Sequence, residues 1–265
     1  MSWRTLDVRT DGRGVVEVML NTPEKRNVLS ALMIAELTEM AATIGNDGKT
    51  RAIVLSGAGT TFCAGGDLNW MKAQIEADRA QRMREARKLA EMLQALNTIG
   101  APLIGRLHGG AFGGGIGIAC VCDVTLAESA TKFCFSETRL GIIPATIGPY
   151  VLARMSEGKA RRVFMSARVF DAAEAERLGI VSRALPADEL DQAVEAEVAP
   201  YLQVAPGAVA AAKKLARDLG PRIDAEVIDD TIRRLADIWE GPEALHGIAA
   251  FLDKRPPDWA EQVPG

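Results

Sequence analysis

The chain has 265 residues, 48% of them hydrophobic and 25% charged, with a formal net charge of −4. That length supports one large domain or two small ones with a full core, and the composition excludes disordered and fibrous classes. The acidic balance argues against a general nucleic-acid surface, so any anionic ligand must be met by a local group of Lys or Arg.

The N-terminal stretch MSWRTLDVRTDGRG is charged and has no apolar run, so no signal peptide is expected. Two β-patterned runs at 5–9 and 14–20 follow, with Asp-Gly at 11–12 supplying the turn between them. After a loop at 21–27, Ser30 opens an amphipathic helix (Leu32, Met33, Leu37, Met40) that ends near Gly45. Residues 51–56 (RAIVLS) read as a buried strand, and a polar helix rich in Arg and Glu spans about 72–97. A further strand is expected at 102–107, then an apolar helical run to Cys122, then short strands at 123–127 and 132–135. Beyond Gly148 the pattern is helical, apart from extended pieces at 168–170 and 180–184. Four helical segments follow Pro186, separated by Pro200, Pro206, Gly220-Pro221 and Gly241-Pro242. The whole reads as an α/β chain with a helical C-terminal subdomain. The longest uncharged stretch, 107–122, is too short and too rich in glycine to span a membrane.

Several kinds of chemistry fail on spacing. Cys63, Cys120, Cys122 and Cys134 lack the pairing of zinc ligands, so no metal site is expected. Cys120 and Cys122 read as small core hydrophobes, and a thiol-reduced cytoplasmic setting is expected. No G-x-x-x-x-G-K-[ST] occurs. Gly113, Gly115 and Gly117 fail G-x-G-x-x-G because position 118 is Ile. No Ser lies in G-x-S-x-G, and His108 and His246 are the only histidines, both read as packing or hydrogen-bonding groups.

Ten of the 25 glycines crowd into the windows 57–66 and 109–117. Each window follows an expected strand and precedes an expected helix. Two such turns side by side present free amides at helix N-termini, where an oxyanion is favoured, and glycine lets a ligand approach them closely.

At this point the chain resembles the enoyl-CoA hydratase/isomerase (crotonase) superfamily. The likeness runs through P-E-K-R-N-V-L at 23–29, F-C-A-G-G-D-L at 62–68, G-G-A-F-G-G-G at 109–115 and C-D-V-T-L-A at 122–127. It continues in F-S-E-T-R-L-G-I-I-P at 135–144, A-E-A-E-R-L-G-I-V at 173–181 and F-L-D-K-R-P-P-D-W at 251–259. The resemblance implies a crotonase-like β-β-α superhelix at 1–200 and a helical oligomerisation subdomain at 201–265 that builds a homotrimer or a hexamer. It implies an acyl-CoA thioester as ligand, with coenzyme A part of the substrate and no further cofactor. By motif position the thioester carbonyl would lie between the amides of Ala64 and Gly114. The CoA would be held by Lys25, Arg26 and Lys254 and by the backbone at Gly65, Gly66, Asp67 and Leu68, with Asp67 also read as a helix cap.

Family hydratases carry two glutamates. One is matched by Glu137, which its apolar neighbours Phe135, Leu140 and Ile142 should desolvate toward a useful pKa. The other falls at Gly117, which has no side chain. One glutamate can deprotonate water and return the proton to Cα, which is hydration. It can equally shuttle a proton from C2 to C4, which is isomerisation of a 3-enoyl thioester. A catalytically weak acyl-CoA-binding protein is the third reading. The segment 141–149 (GIIPATIGP) lacks the G-G-G-T-Q-R-L run of ordinary family hydratases. With Gly117 it resembles hydratases of branched, 3-methylglutaconyl-type thioesters, whose distal carboxylate Arg139 or Arg154 could meet.

Overall fold

The computed structural model describes residues 3–260, and of Leu68 the backbone only. The chain opens on an antiparallel pair, β1 (Leu6–Thr10) and β2 (Val15–Leu20). The turn between them forms because the Asp11 carboxylate accepts from the amides of Arg13 and Val15, at 2.8 and 3.0 Å. Next comes α1 (Ala31–Thr43), capped by the Ser30 hydroxyl, which accepts from the Met33 amide. Then follow β3 (Ala52–Gly57), α2 (Leu68–Glu76), α3 (Arg79–Thr98), β4 (Leu103–Leu107), β5 (Gly110–Phe112) and α4 (Gly114–Val121). The middle of the chain holds β6 (Val124–Glu128), β7 (Lys132–Cys134), α5 (Gly148–Met155), α6 (Glu157–Phe164) and β8 (Phe170–Asp171). It ends in α7 (Ala172–Leu178), β9 (Arg183–Leu185), α8 (Ala187–Val198), α9 (Pro206–Leu219), α10 (Ala225–Trp239) and α11 (Pro242–Leu252).

The single polar helix expected at 72–97 is two helices. Ala77 is extended, and the Asp78 carboxylate accepts from the Gln81 amide, so α3 starts afresh with its own cap.

Six strands form one sheet in the order β1-β2-β3-β4-β6-β9, parallel from β2 onward, and β5, β7 and β8 form a second. The consecutive strands β4 and β5 go to different sheets, as do β6 and β7, and helices follow each pair. That repeat is the β-β-α spiral expected from the sequence. The main core runs between the sheets and α1, α3 and α4, with Leu20, Met33, Leu37, Ile53, Leu55, Leu93 and Phe133 almost wholly buried.

The helical tail returns to the spiral. Ile228 and Ile232 of α10 pack on Ala86 and Ala90 of α3. Arg79 of α3 reaches Asp237 and Glu240 at 2.6 and 2.8 Å, and Arg87 reaches Asp229 at 2.6 Å. Helix α9 is tied to the spiral through Lys213, which donates to Asp123 Oδ2 at 2.6 Å and to Ala101 O at 3.1 Å. The expected division at 200/201 falls within the 3₁₀ turn Ala199–Gln203, and 261–265 lie outside the described residues. Among the described residues no helix is long and apolar enough to cross a membrane.

Candidate active site

Backbone stitches the two glycine windows together. Cys63 and Ala111 form a parallel bridge, in which the Cys63 amide donates to Gly110 O (3.1 Å) and the Phe112 amide to Cys63 O (3.0 Å). The contact is too close for side chains. A Cβ on Gly65, whose φ is +88°, would lie 2.8 Å from Phe112 O, and one on Gly115 would lie 2.7 Å from Cys63 O. A third segment is pinned alongside by Asn27, which is fully buried. Its Oδ1 accepts from the Thr22 amide at 2.9 Å, and its Nδ2 donates to Ala58 O and Thr61 O at 2.9 and 2.8 Å. Lys25 and Arg26 thus ride, exposed, on a loop anchored to the first window.

That loop changes which amides are free. The Ala64 amide donates to Arg26 O at 3.0 Å, so it is not available to a ligand, against the expectation from motif position. The Gly65 amide faces the Cys63 sulfur. Among the described residues the Gly66 amide meets no acceptor, and Gly66 is exposed. The Gly114 amide, first in α4, is likewise without an acceptor. The free pair is Gly66 and Gly114.

Glu137 begins the 3₁₀ turn Glu137–Leu140 that follows β7, and Ile142 closes the loop by donating to Glu137 O at 3.1 Å. Its Oε1 lies where a Cβ on Gly113 would be 3.0 Å away, so the carboxyl sits one residue from the free Gly114 amide. Its Oε2 is buried without a partner. Phe135, Leu140 and Ile142 around it are all buried, and this loss of water pushes the carboxyl from 4.5 up to about 7. On the same helix, a Cβ at Gly117 would lie 2.6 Å from Ile147 Cγ2. Ile147, itself 2% exposed, fills the space a side chain there would need.

Other expected residues fall elsewhere. Asp67 spends its Oδ1 on capping α2, accepting from the Asn69 and Trp70 amides at 2.6 and 3.1 Å. The side chain of Leu68 lies outside the described residues. Lys254 is exposed just past the end of α11. Arg154 donates to Cys120 O and Asp123 O, at the end of α4 opposite the Gly114 amide, so it cannot reach a group held near Glu137. Arg139 follows Glu137 in the turn but donates to Ala167 O at 2.7 Å. His108 contacts Gly59 O at 2.8 Å and His246 accepts from the Asp258 amide, both hydrogen-bonding roles. All four cysteines are free and buried, and burial pushes the thiols of Cys63, Cys120 and Cys122 up to about 12.

From the tail, the sequence points to Lys254 but not to the apolar residues of α10 and α11. Trp239, Ala244 and Ile248 pack with Leu140 and Ile142 beyond Glu137, and Trp70 and Met71 join them. Met71 Cε lies 3.4 Å from where a Gly66 Cβ would be, which sets this apolar wall directly beside the free Gly66 amide. A larger cavity of 1090 Å³, lined by Asp123, Tyr150, Arg154 and Lys213, touches neither Glu137 nor the glycine windows.

Enoyl-CoA hydratase ACTT6 of Alternaria alternata is 31% identical over 90% of this chain and 78% of its own length. Among solved structures, AtuE of Pseudomonas aeruginosa is 37% identical with a TM-score of 0.77, over 97% of this chain and 100% of that one. An enoyl-CoA hydratase from Shewanella pealeana is 34% identical with a TM-score of 0.79, over 97% of each chain. The enoyl-CoA hydratase/isomerase profile matches residues 10–262, nearly the full length, and the chain belongs to that family, the crotonase superfamily.

Proposed function

We propose that this protein adds water across the double bond of a 2-enoyl-CoA thioester, with Glu137 as its one acid/base group. The observation that carries the reading is Glu137 itself, a buried carboxyl with one oxygen unpartnered, one residue from a free helix-terminal amide. The thioester oxygen would accept from Gly66 and Gly114. Enolate charge develops on that oxygen during addition, and one preorganised donor is worth about 3 kcal/mol there. Ionised Glu137 takes a proton from water as the oxygen bonds to C3 and the π electrons move to the thioester oxygen. The enolate then collapses, and Glu137 returns the proton to C2 on the same face. This scheme uses no metal and no cofactor beyond the CoA of the substrate.

The CoA phosphates are assigned to Lys25, Arg26 and Lys254, the local cations an acidic chain needs. A branched, 3-methylglutaconyl-like substrate belongs to the same proposal, supported by Gly117 and by the 144–147 segment that covers it. So does assembly into a homotrimer or hexamer in the cytoplasm, for which Leu215 and Leu219, 60% and 80% exposed on α9, offer apolar surface. The covering of Gly117 by Ile147 also supports a second reading, isomerisation of a 3-enoyl-CoA, because one carboxylate is enough for that shuttle.

Crotonyl-CoA, 3-methylglutaconyl-CoA and a 3-enoyl-CoA, assayed side by side, test these readings. Hydration is expected, falling at least about a hundredfold in Glu137→Gln while thioester binding survives. Turnover of the 3-enoyl substrate alone would make the protein an isomerase, and binding without turnover would make it a binding protein. Hydration unchanged in Glu137→Gln would remove that residue from the mechanism.

A further inference from the structure

Trp70 and Trp239, which meet edge-on at 6.5 Å in the apolar wall, also line a small cavity between α2, α3 and α10. Its volume is about 10 Å³, room for one water or one ligand oxygen. Two of the groups around it are polar and incompletely matched. Gln74 is 3% exposed, and its Oε1 is buried without a hydrogen-bond partner. A buried amide oxygen in that state calls for something in the cavity to bond it. Arg82 is half-buried, its guanidinium 5.6 Å from the centre of the Trp239 ring. It donates to Gln74 O and Ile75 O, at 2.8 and 3.2 Å. Its neighbours on α3 make the contrast. Arg79 and Arg87 each pair with acids of α10, whereas among the described residues no carboxylate lies within 4.0 Å of Arg82.

We propose that Gln74 and Arg82 receive one oxygen of a carboxylate at the far end of the acyl chain, so that the site prefers acyl groups with an acidic terminus over plain ones. This rests on the acyl-CoA reading above. The placement follows from α2, which starts beside the free Gly66 amide and carries Gln74 two turns later, about 10 Å along the axis. Met71 and Trp70 lie between. A medium-length chain leaving the Gly66–Gly114 pair and passing Met71 reaches the cavity when the half-buried Trp70 swings aside. There the guanidinium supplies the counter-charge, and the Gln74 amide, turned by 180°, offers Nε2 as a second donor.

Calorimetric titration of the whole protein with octanedioyl-CoA and octanoyl-CoA tests this. Both are saturated, so neither turns over. The expected result is binding of octanedioyl-CoA at least about tenfold tighter, the scale of one charge-assisted bond in a desolvated setting. Arg82→Met should bring the ratio of the two constants close to one, Arg82→Lys should keep part of it, and Gln74→Leu, which leaves the Arg82 contacts to backbone in place, should lower it severalfold. Equal binding of both thioesters by the wild type overturns the proposal and leaves the acyl-CoA reading standing, as does a ratio that survives Arg82→Met. Binding of neither thioester overturns both.

Discussion

Replacing Glu137 by Gln should make the protein more resistant to rising pH. The wild-type carboxyl titrates near 7 in the folded chain because its apolar neighbours strip it of water and Oε2 has no donor, against 4.5 when solvated. The folded state therefore binds more protons than the unfolded state between those values. The stability that this proton uptake contributes is complete below about pH 4.5 and is lost as pH rises through about 7. At about 1.4 kcal/mol for each pH unit, the full loss is about 3.5 kcal/mol, of which about 2.5 kcal/mol falls between pH 5 and pH 8. Gln cannot ionise and leaves the same buried atoms unpartnered, so it adds a constant offset and removes the slope.

The assay is thermal unfolding of both proteins at one concentration across pH 5–8. Relative to wild type, the Glu137→Gln melting temperature should climb by about 5–10 °C from the acidic to the alkaline end. Other carboxylates titrate alike in both proteins and cancel in the difference. In the wild type the same ionisation should appear as a rise of kcat/KM with pH to a plateau above about 7, because the base must be charged. Parallel stability curves, or an activity limb near 4.5, would refute the desolvation argument.

Two further perturbations test the geometry around the free amides. Gly66→Ala places its Cβ 3.4 Å from the flexible end of Met71 and keeps the amide, so melting should stay within about 2 °C of wild type. Gly65→Ala combines a φ of +88° with a 2.8 Å approach to Phe112 O and should cost about 2 kcal/mol or more, read as a lower denaturant midpoint. Gly117→Glu should lose stability and gain no hydratase activity, because its Cβ would lie 2.6 Å from Ile147 Cγ2, an overpacking worth about 1–3 kcal/mol. Adding Ile147→Ala should recover part of the melting temperature. A Gly117→Glu protein that melts like wild type would show that Ile147 yields easily and does not guard the position.

What could be read in the sequence, and what could not, divides along the range of the interactions. Strand–turn–helix order, the Ser30 cap and the crowding of glycine depend on residues close together in the chain, and these appear in the structure near where the sequence puts them. Glu137 could be singled out because its apolar neighbours are also its sequence neighbours. The choice of amide could not. Whether Ala64 or Gly66 faces a ligand depends on what Arg26 O takes up, and that carbonyl is brought there by Asn27 reaching across to Ala58 and Thr61. The break of the long polar helix at Asp78 is local, but Asp within an Arg- and Glu-rich run reads as one more charge until its carboxylate is seen accepting from Gln81. The wall beyond Glu137 is the most distant case, since Trp239 and Ile248 lie about a hundred residues on and reach it only through the return of α10 and α11. Glycine counting therefore identifies the place where two backbone turns meet and leave amides free, while the contacts that α10 and α11 bring back decide which apolar side chains wall it.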